Sequence, residues 1–371
     1  MKRFPAMLLS LALLLTCLAG LSVSAEDTGL TITGHLELEY ATQFTVDYCE
    51  GGYNLITNGD GARFLTIPEG ASVPENLPED ITTLQLPLSN LLISSTPTVS
   101  LINAIGALDT VTMTTQEYDG WYIEEVKNAM DAGKMTYIGS YKAPDYEIIT
   151  ANQPPFAVFS TMIDSVPEVG EKLTELGVPY MRDCSTYENH PLGRMEWIKL
   201  YGVLLDKQEE AQAHYDEQKA LVEGINAEST GKTVAMFYIT SKGDIYTRRA
   251  GDYMVKMLEL AGGRYIMSDL EPEKSGTQKI SAEDFYIGAS DADYIVYIWS
   301  MGGKPESMEA FLSRSEILAD FKAVKDGNVW FTTPDYFQIS HTLGSMIVDF
   351  NKMLTNEDES VTEFTYLFKL K

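Results

Sequence analysis

An alternation of short apolar runs with helical segments, which occurs twice along the chain, constrains the fold most strongly. In the first half the apolar runs are residues 83–88, 109–114 and 156–159, and in the second half they are residues 234–239, 294–299 and 329–332. Helical segments in the first half end at Gly133 and Gly177, since glycine commonly follows the last turn of a helix. Strands that alternate with helices build parallel sheets. The sequence therefore predicts two α/β lobes with mainly parallel sheets.

The stretch between these halves contains no proline from Gly193 to about residue 227. Trp197, Ile198, Tyr201 and Leu204 recur there at helical spacing. A helix of about 30 residues would extend roughly 45 Å. We expect one long helix over residues 193–228, joining lobe 1 (81–192) to lobe 2 (229–371).

The segment before lobe 1 has the period of a β-strand. Leu36, Leu38 and Tyr40 alternate with polar residues, and the same alternation resumes from Phe44 until the turn at Gly51. We expect residues 26–80 to form a small antiparallel β extension packed on lobe 1.

The first 25 residues are typical of an export signal. Lys2 and Arg3 precede a short apolar run, and residues 22–25 (Ser-Val-Ser-Ala) suit a signal peptidase. This pattern predicts a signal peptide over 1–25 and a periplasmic or cell-surface protein. Cys17 follows Leu-Leu-Thr, which resembles a lipobox, so a lipid anchor on Cys17 is the alternative to cleavage after Ala25.

The net charge argues against one class of binding partner, and the cysteines allow two redox states. The formal net charge of −27 would repel phosphate, so nucleic acid is excluded as a partner. Cys49 and Cys184 remain after cleavage at Ala25, and they could either form a disulfide or stay as two free thiols.

Residues 187–194 (Tyr-Glu-Asn-His-Pro-Leu-Gly-Arg), followed by Glu-Trp-Ile-Lys at 196–199, resemble the hinge region of a known family. The family comprises the substrate-binding proteins of ABC importers for iron–siderophore complexes, haem and cobalamin. Further matching stretches are residues 143–147, 246–249, 260–263 and 321–330. The resemblance implies two lobes bridged by one rigid helix, with ligand held in the cleft between them.

The resemblance also implies a function. A monomer would capture a metal chelate or tetrapyrrole and deliver it to a transmembrane permease dimer. A ferric siderophore is favoured over haem or cobalamin, and no permanently bound cofactor is expected. In this family each lobe presents one carboxylate to the permease, and the matching residues are Glu168 and Glu283. Both also fit an ordinary role in the first turn of a helix, where capping and the helix dipole favour acids.

Three arginines are candidate contacts for an anionic ligand. Arginine suits planar, multidentate oxygen anions, and Arg194, Arg248 and Arg249 are conspicuous in so acidic a chain. The alternatives are that Arg194 pairs with Glu188 or Glu196, and that Arg248 and Arg249 form a solvated turn.

Aromatic and hydroxyl side chains complete the predicted cleft. Flat rings pack on macrocycles and catecholates, and tyrosine or histidine can ligate haem iron. The candidates are Tyr146, Tyr187, Trp299, Tyr336, His341, Ser94, Ser95 and Thr96. Each ring could instead belong to the hydrophobic core or to the rim of the cleft, and the hydroxyl groups could cap a helix. His190, which precedes Pro191, is assigned a structural role in the hinge.

The sequence lacks the usual catalytic signatures. It contains no Gly-x-Ser-x-Gly elbow, phosphate loop, His-Glu-x-x-His or Cys-x-x-Cys, and its four histidines are far apart. A binding protein without a catalytic or metal centre is therefore the leading interpretation. A sensor or storage protein without a permease and a two-lobe α/β enzyme are the alternatives.

Overall fold

The computed structural model describes residues 28–225, 229–358 and 360–370. The predicted signal peptide and Cys17 lie outside these ranges. Within them, no helix has the length and hydropathy needed to cross a bilayer.

The N-terminal extension is a five-stranded sheet. Its strands are β1 (Ile32–His35), β2 (Phe44–Cys49), β3 (Asn54–Asn58), β4 (Arg63–Ile67) and β5 (Ile81–Gln85), in that spatial order. The first four form an antiparallel meander, and β5 returns to pair with β4 in parallel. The expected antiparallel extension is thus mixed, and it ends after Gln85 rather than at residue 80, because the loop after β4 brings β5 back beside it.

The alternating residues Leu36 and Leu38 do not continue β1 as a strand. The backbone N–H groups of Glu39, Tyr40 and Ala41 are instead donated to the Glu196 carboxylate, at 2.8–3.1 Å. The predicted strand is wrong here because a buried side chain takes the donors that a strand would use. Residues 39–43 are called the strap below.

Lobe 1 contains a five-stranded sheet in which every pairing is parallel. Its strands are β6 (Leu91–Ile93), β7 (Val111–Thr114), β8 (Thr136–Tyr137), β9 (Ala157–Ser160) and β10 (Tyr180–Asp183), in the order β10-β9-β6-β7-β8. Its helices are α1 (Thr96–Ala104), α2 (Glu124–Asp131), α3 (Tyr146–Asn152) and α4 (Pro167–Glu175). The apolar runs 109–114 and 156–159 overlap strands of this sheet, and the glycine-terminated segments became helices, as the alternation predicts. The run 83–88, predicted as the first strand of lobe 1, instead overlaps β5 of the extension, because it pairs with β4.

Two helices, α5 (Pro191–Leu205) and α6 (Gln208–Glu223), replace the single long helix predicted between the lobes. The chain turns at Asp206, which has a left-handed backbone with φ of 55° and ψ of 45°. The helices then run antiparallel: a Cβ on Gly202 would lie 2.7 Å from that of Ala211, and the Lys199 ammonium lies 4.2 Å from the Tyr215 ring centre. The prediction of one helix is wrong because aspartate tolerates the left-handed conformation and Gly202 allows the close crossing.

Lobe 2 has a sheet that is parallel at its centre and antiparallel at both edges. Its strands are β11 (Thr233–Ile239), β12 (Ile245–Arg248), β13 (Arg264–Tyr265), β14 (Thr277–Ile280), β15 (Tyr294–Tyr297), β16 (Val329–Thr332) and β17 (Leu367–Phe368). The order is β14-β12-β11-β15-β16-β17, with β13 paired to β11. Its helices are α7 (Tyr253–Leu260), α8 (Ala282–Ala289), α9 (Trp299–Gly302), α10 (Met308–Leu312), α11 (Lys322–Lys325) and α12 (Leu343–Thr355).

One continuous apolar core connects the two lobes and the helical hairpin. Val99 of lobe 1, Trp197 of α5 and Met346 of lobe 2 belong to the same buried cluster. Cys49 and Cys184 are both buried and free, so the alternative of two separate thiols is confirmed. The two-lobe α/β class is confirmed as well.

Candidate ligand-binding cleft

The loops at the carboxyl ends of the parallel strands bring the two lobes face to face. Gln338, after β16, donates from Nε2 to the Gly120 carbonyl at 2.6 Å, and its Oε1 accepts from the Tyr122 N–H at 3.0 Å. Gly120 and Tyr122 follow β7 of lobe 1. Because open α/β sheets bind ligands outside the carboxyl ends of their strands, the candidate cleft lies along this meeting line.

Large exposed apolar side chains concentrate at these strand ends. Among the described residues ten such side chains are exposed, and six of them end or soon follow a parallel strand: Tyr118, Tyr122, Tyr137, Met162, Tyr187 and Met301. Exposed apolar surface of this kind often marks a binding site. Only Tyr187 was predicted. Position after a strand end, combined with side-chain size, is the sequence signal that could have found Tyr122, Met162 and Met301.

Arg194 lies in the first turn of α5, where the hinge meets lobe 2. Its guanidinium stacks on the Tyr253 ring at 3.8 Å and donates to the carbonyl oxygens of Glu188 and Thr186, at 3.0 and 2.7 Å. Burial lowers the pKa of Arg194. The alternative pairing with the Glu188 or Glu196 side chain does not form, because both carboxylates bind the strap.

The adjacent arginines have different environments. Arg249 forms an ion pair with Glu271 and donates to the Ser275 carbonyl at 3.2 Å. Arg248, at the end of β12, is only 5% exposed, and its nearest carboxylate is Asp252, 3.5 Å from Nη1. Both arginines thus have a carboxylate in ion-pair range, but only Arg249 donates a side-chain hydrogen bond to its carboxylate.

The hydroxyl residues after β6 lie at the carboxyl edge of the lobe-1 sheet, as expected. The Ser94 hydroxyl shares a hydrogen bond of 2.7 Å with Thr115 Oγ1. Ser95 caps α1 by accepting from the Thr98 N–H, so the capping alternative is the one observed for Ser95. Thr96 is the first residue of α1.

Three of the predicted ring residues contact groups of their own lobe. Trp299 packs edge-to-face on Phe368 at 5.8 Å, and Tyr336 is buried with its hydroxyl 3.8 Å from Met257 Sδ. Tyr146 is partly buried in the lobe-1 core, where burial and then the nearby Glu168 raise its pKa. In this conformation Tyr336 is a core residue, a placement that its sequence neighbours do not reveal.

His341 and His190 lie where separate segments of the chain pack together, and not on the open surface of the cleft. His341 shares a 3.0 Å hydrogen bond with Ser100 of α1, and burial lowers its pKa to about 4. His190 caps α5 by accepting from the Leu192 N–H and stacks on Tyr40 of the strap. Burial also lowers the pKa of His190 to about 4. Both rings are neutral at pH 7, and His190 has the hinge role assigned from the sequence.

The two predicted docking carboxylates are exposed and form no ion pair with any residue in the described ranges. Glu168 lies in the first turn of α4, but the expected capping box is absent because Ser165 donates to the Met162 carbonyl instead. At α8 the cap forms between Ser281 and Asp284, which leaves Glu283 unengaged.

Concave sites are also present elsewhere in the described parts of the chain. A cavity of about 720 Å³ between the extension and lobe 1 includes Asp60, Asp164 and Arg182 in its lining. A site of about 220 Å³ is formed by Asn189 and lobe-2 residues around Asp252. No group of three or more histidine, cysteine or acidic residues in the described ranges could hold a metal ion.

Comparison with known proteins adds to this geometry. An uncharacterized lipoprotein of Methanocaldococcus jannaschii is 26% identical over 328 residues, covering 81% of this chain and 77% of that protein. A possible iron-binding, periplasmic solute-binding protein of Staphylococcus epidermidis matches with a TM-score of 0.56 at 17% identity, covering 72% of this chain and 100% of that chain. A periplasmic haem-binding protein of Pseudomonas aeruginosa gives a TM-score of 0.57 at 16% identity, covering 77% and 99%. At these identities the solved structures establish the fold alone.

The sequence profile of the periplasmic binding protein family matches residues 95–336, which is more than half of the chain. This match begins next to α1 and runs through the helical hairpin to residue 336, so it includes most of lobe 1 and the part of lobe 2 that precedes α12. The family is one of solute-binding proteins, in agreement with a binding role rather than catalysis. The chain therefore belongs to the periplasmic binding protein family.

Proposed function

We propose that this chain is the extracytoplasmic solute-binding component of an ABC importer, and that it captures an anionic metal chelate or tetrapyrrole between its lobes. A ferric siderophore is the favoured ligand, followed by haem and cobalamin. The observation that carries the proposal is the pair Arg194 and Arg248. Arg194 donates only to main-chain carbonyl oxygens, and Arg248 has an ion-pair contact with Asp252 at 3.5 Å but no side-chain hydrogen bond among the described residues. Oxygen anions are the natural partners of such groups.

The exposed rings and thioethers at the strand ends support the same ligand class. Tyr122, Tyr187, Met162 and Met301 supply apolar surface that a small hydrophilic solute would not use. A metal chelate or tetrapyrrole combines a broad apolar face with peripheral oxygen anions. The named ligands of proteins with this fold, such as haem for the Pseudomonas aeruginosa protein, belong to this class.

Delivery to a permease is assigned to Glu168 and Glu283. Each lies exposed in the first turn of a helix, one per lobe, without an ion-pair partner among the described residues. Exposed carboxylates of this kind orient an encounter with a basic partner more than they strengthen it.

The ligand assignment is tested by titrating the purified protein with a ferric catecholate, a ferric hydroxamate, haemin and cyanocobalamin. Binding is followed by tryptophan fluorescence and visible absorbance. We expect saturable one-to-one binding of one class without chemical change, and at least about tenfold weaker binding in the Arg194→Ala variant. Absence of binding to all four probes, or turnover of any of them, would reject the proposal.

The docking assignment needs a separate experiment in cells. The Glu168→Arg/Glu283→Arg double variant should bind ligand normally but fail to support uptake, because both changes reverse the charge presented to the permease. Glu217→Arg, an equally exposed change on α6, is the matched control. Normal uptake by the double variant would refute the docking role alone.

A further inference from the structure

Arg248 is a buried guanidinium with almost no acceptors. Its side chain is 6% exposed, and within the described ranges it makes no side-chain hydrogen bond; its Nε atom is buried without a partner. Asp252, the nearest carboxylate, already accepts from the N–H groups of Met254 and Gly276. Arg248 therefore has an ion-pair partner at 3.5 Å, while its Nε–H, one of several donors in the fixed plane of the guanidinium, is left without an acceptor among the described residues.

Phe337 covers this guanidinium. Its ring centre lies 5.4 Å from the guanidinium carbon of Arg248, in the segment that follows β16. The neighbouring Tyr336 is held in the lobe-2 core, whereas Phe337 is only partly buried against that core. Access to Arg248 therefore depends on what fixes the backbone next to Phe337.

Gln338, the next residue, fixes that backbone to the opposite lobe. Its amide makes the two hydrogen bonds to Gly120 and Tyr122 described above. Both partners are neutral main-chain groups at a partly exposed site. Such bonds contribute little net free energy, since water replaces them when they break. The contact can thus close the cleft without holding it permanently shut.

We propose that Gln338 is a latch that holds Phe337 over Arg248 while the cleft is empty, and that an incoming oxygen anion displaces this segment and binds the guanidinium. This inference rests on the proposed function, since it names the group that the captured anion reaches. Gln338 is a positioning residue: it acts through Phe337 and does not itself bind the anion. Carboxylate oxygens of a tetrapyrrole and catecholate oxygens of a ferric siderophore share the required chemistry.

The latch can be tested without any ligand. Hydrogen exchange of the Tyr122 amide and modification of Arg248 by phenylglyoxal, both read by mass spectrometry, report its opening. In Gln338→Met, which keeps the side-chain size but loses both hydrogen bonds, both rates should rise about fivefold to tenfold. Gln212→Met, which removes an exposed side-chain hydrogen bond on α6, should change neither rate. Equal rates in wild type and Gln338→Met would overturn the latch.

A second variant distinguishes loss of the cover from misfolding of the segment. Phe337→Ala removes the cover directly, so Arg248 modification should rise about as much as in Gln338→Met, while the Tyr122 amide stays protected. If Phe337→Ala instead exposes both Arg248 and the Tyr122 amide, and its circular dichroism differs from that of wild type, the segment is needed for folding. That result would also count against the proposal.

Ligand binding then separates the latch from the proposed function. With haemin and a ferric catecholate as probes, Gln338→Met should bind the preferred probe about threefold to tenfold more tightly, because less of the protein is closed. Arg248→Lys should bind it at least about tenfold more weakly. If neither probe binds any variant but the rate of Arg248 modification rises in Gln338→Met, the latch is supported and the ligand assignment fails. If a probe binds and Gln338→Met changes neither affinity nor modification, the latch alone fails.

Discussion

The strap meets α5 through buried charged groups, whereas lobe 1 meets lobe 2 through neutral ones. Glu196 and Glu188 together accept the backbone N–H groups of all five strap residues, and Glu196 also accepts from Lys199. Across the lobes the corresponding bonds come from Gln338 and from Ser100 with His341. Removing one partner from a buried charged group is costly, while a neutral bond is exchanged for water with little loss. The difference indicates that the strap interface is permanent and that the lobe interface is able to open.

Glu196→Ala should break the stronger interface and give the largest effect. The change removes the acceptor of three backbone N–H groups and leaves the buried Lys199 ammonium without its carboxylate, with only the Glu37 carbonyl at 3.3 Å as acceptor, at a cost of about 3–5 kcal/mol. Urea unfolding followed by tryptophan fluorescence measures the loss. Glu217→Ala, at an exposed position on α6, should leave the unfolding midpoint unchanged. A loss below about 1 kcal/mol for Glu196→Ala would remove the distinction between the interfaces.

Acid should weaken the lobe interface through His341. Its folded pKa of about 4, set by burial and then by the neighbouring His214, is below the ordinary value of 6.5. The neutral ring therefore contributes stability that is fully present above pH 6.5 and is lost as the pH falls through 4. At pH 5 the expected loss is about 2 kcal/mol.

Urea midpoints at pH 7 and pH 5 measure this dependence. His341→Asn should reduce the difference between the two midpoints. An undiminished difference in His341→Asn would assign the acid sensitivity to another group.

Gly193→Ala should push the strap away from α5. A Cβ at this position would lie 2.9 Å from the Tyr40 carbonyl oxygen, which belongs to the backbone and has little room to move. We expect a net loss of about 1–2 kcal/mol despite the better helix propensity of alanine, together with faster amide exchange in the strap. Gly288→Ala on α8 is the control, because its new methyl group meets only the flexible Met267 side chain. Unchanged exchange in the strap would contradict the tight packing.

Gln338→Met should have the smallest effect on global stability, below about 1 kcal/mol, because water replaces both lost hydrogen bonds. The same urea experiment provides the comparison with Glu196→Ala. A loss as large as that of Glu196→Ala would show that the lobe interface is as permanent as the strap interface.

The sequence predicted what depends on local pattern. Buried apolar runs located β7 and β9 of lobe 1 and the parallel strands β11, β15 and β16 of lobe 2, and glycines after helical segments marked helix ends such as Gly133 and Gly177. The turn at Asp206 was missed because helical spacing continues on both sides of it. Gly202 and Ala211, two small residues placed symmetrically about the turn, are the signal that could have indicated a close helix crossing.

The candidate site was less predictable because its contacts join distant parts of the chain. Ser100 and His341 are 241 positions apart, and Tyr122 and Gln338 are 216 apart. No local pattern reveals that the first pair fills a junction or that the second bridges the lobes. The adjacent arginines were recognisable as candidates because arginine is scarce in so acidic a chain. Only the fold shows that Arg248 has a buried Nε without a partner, whereas Arg249 forms a close ion pair with Glu271.

The strap also bears on how shorter versions of this protein should be made. The family match begins at residue 95, so a chain trimmed to that match would keep Glu188 and Glu196 but lose every backbone donor that the strap gives them. Within the described residues, the Glu196 carboxylate would keep its hydrogen bond from Lys199, and the Glu188 carboxylate would keep its hydrogen bond from the Trp197 indole N–H. For expression and labelling, the residues from the strap onward are part of the minimal folding unit, and affinity tags belong upstream of β1.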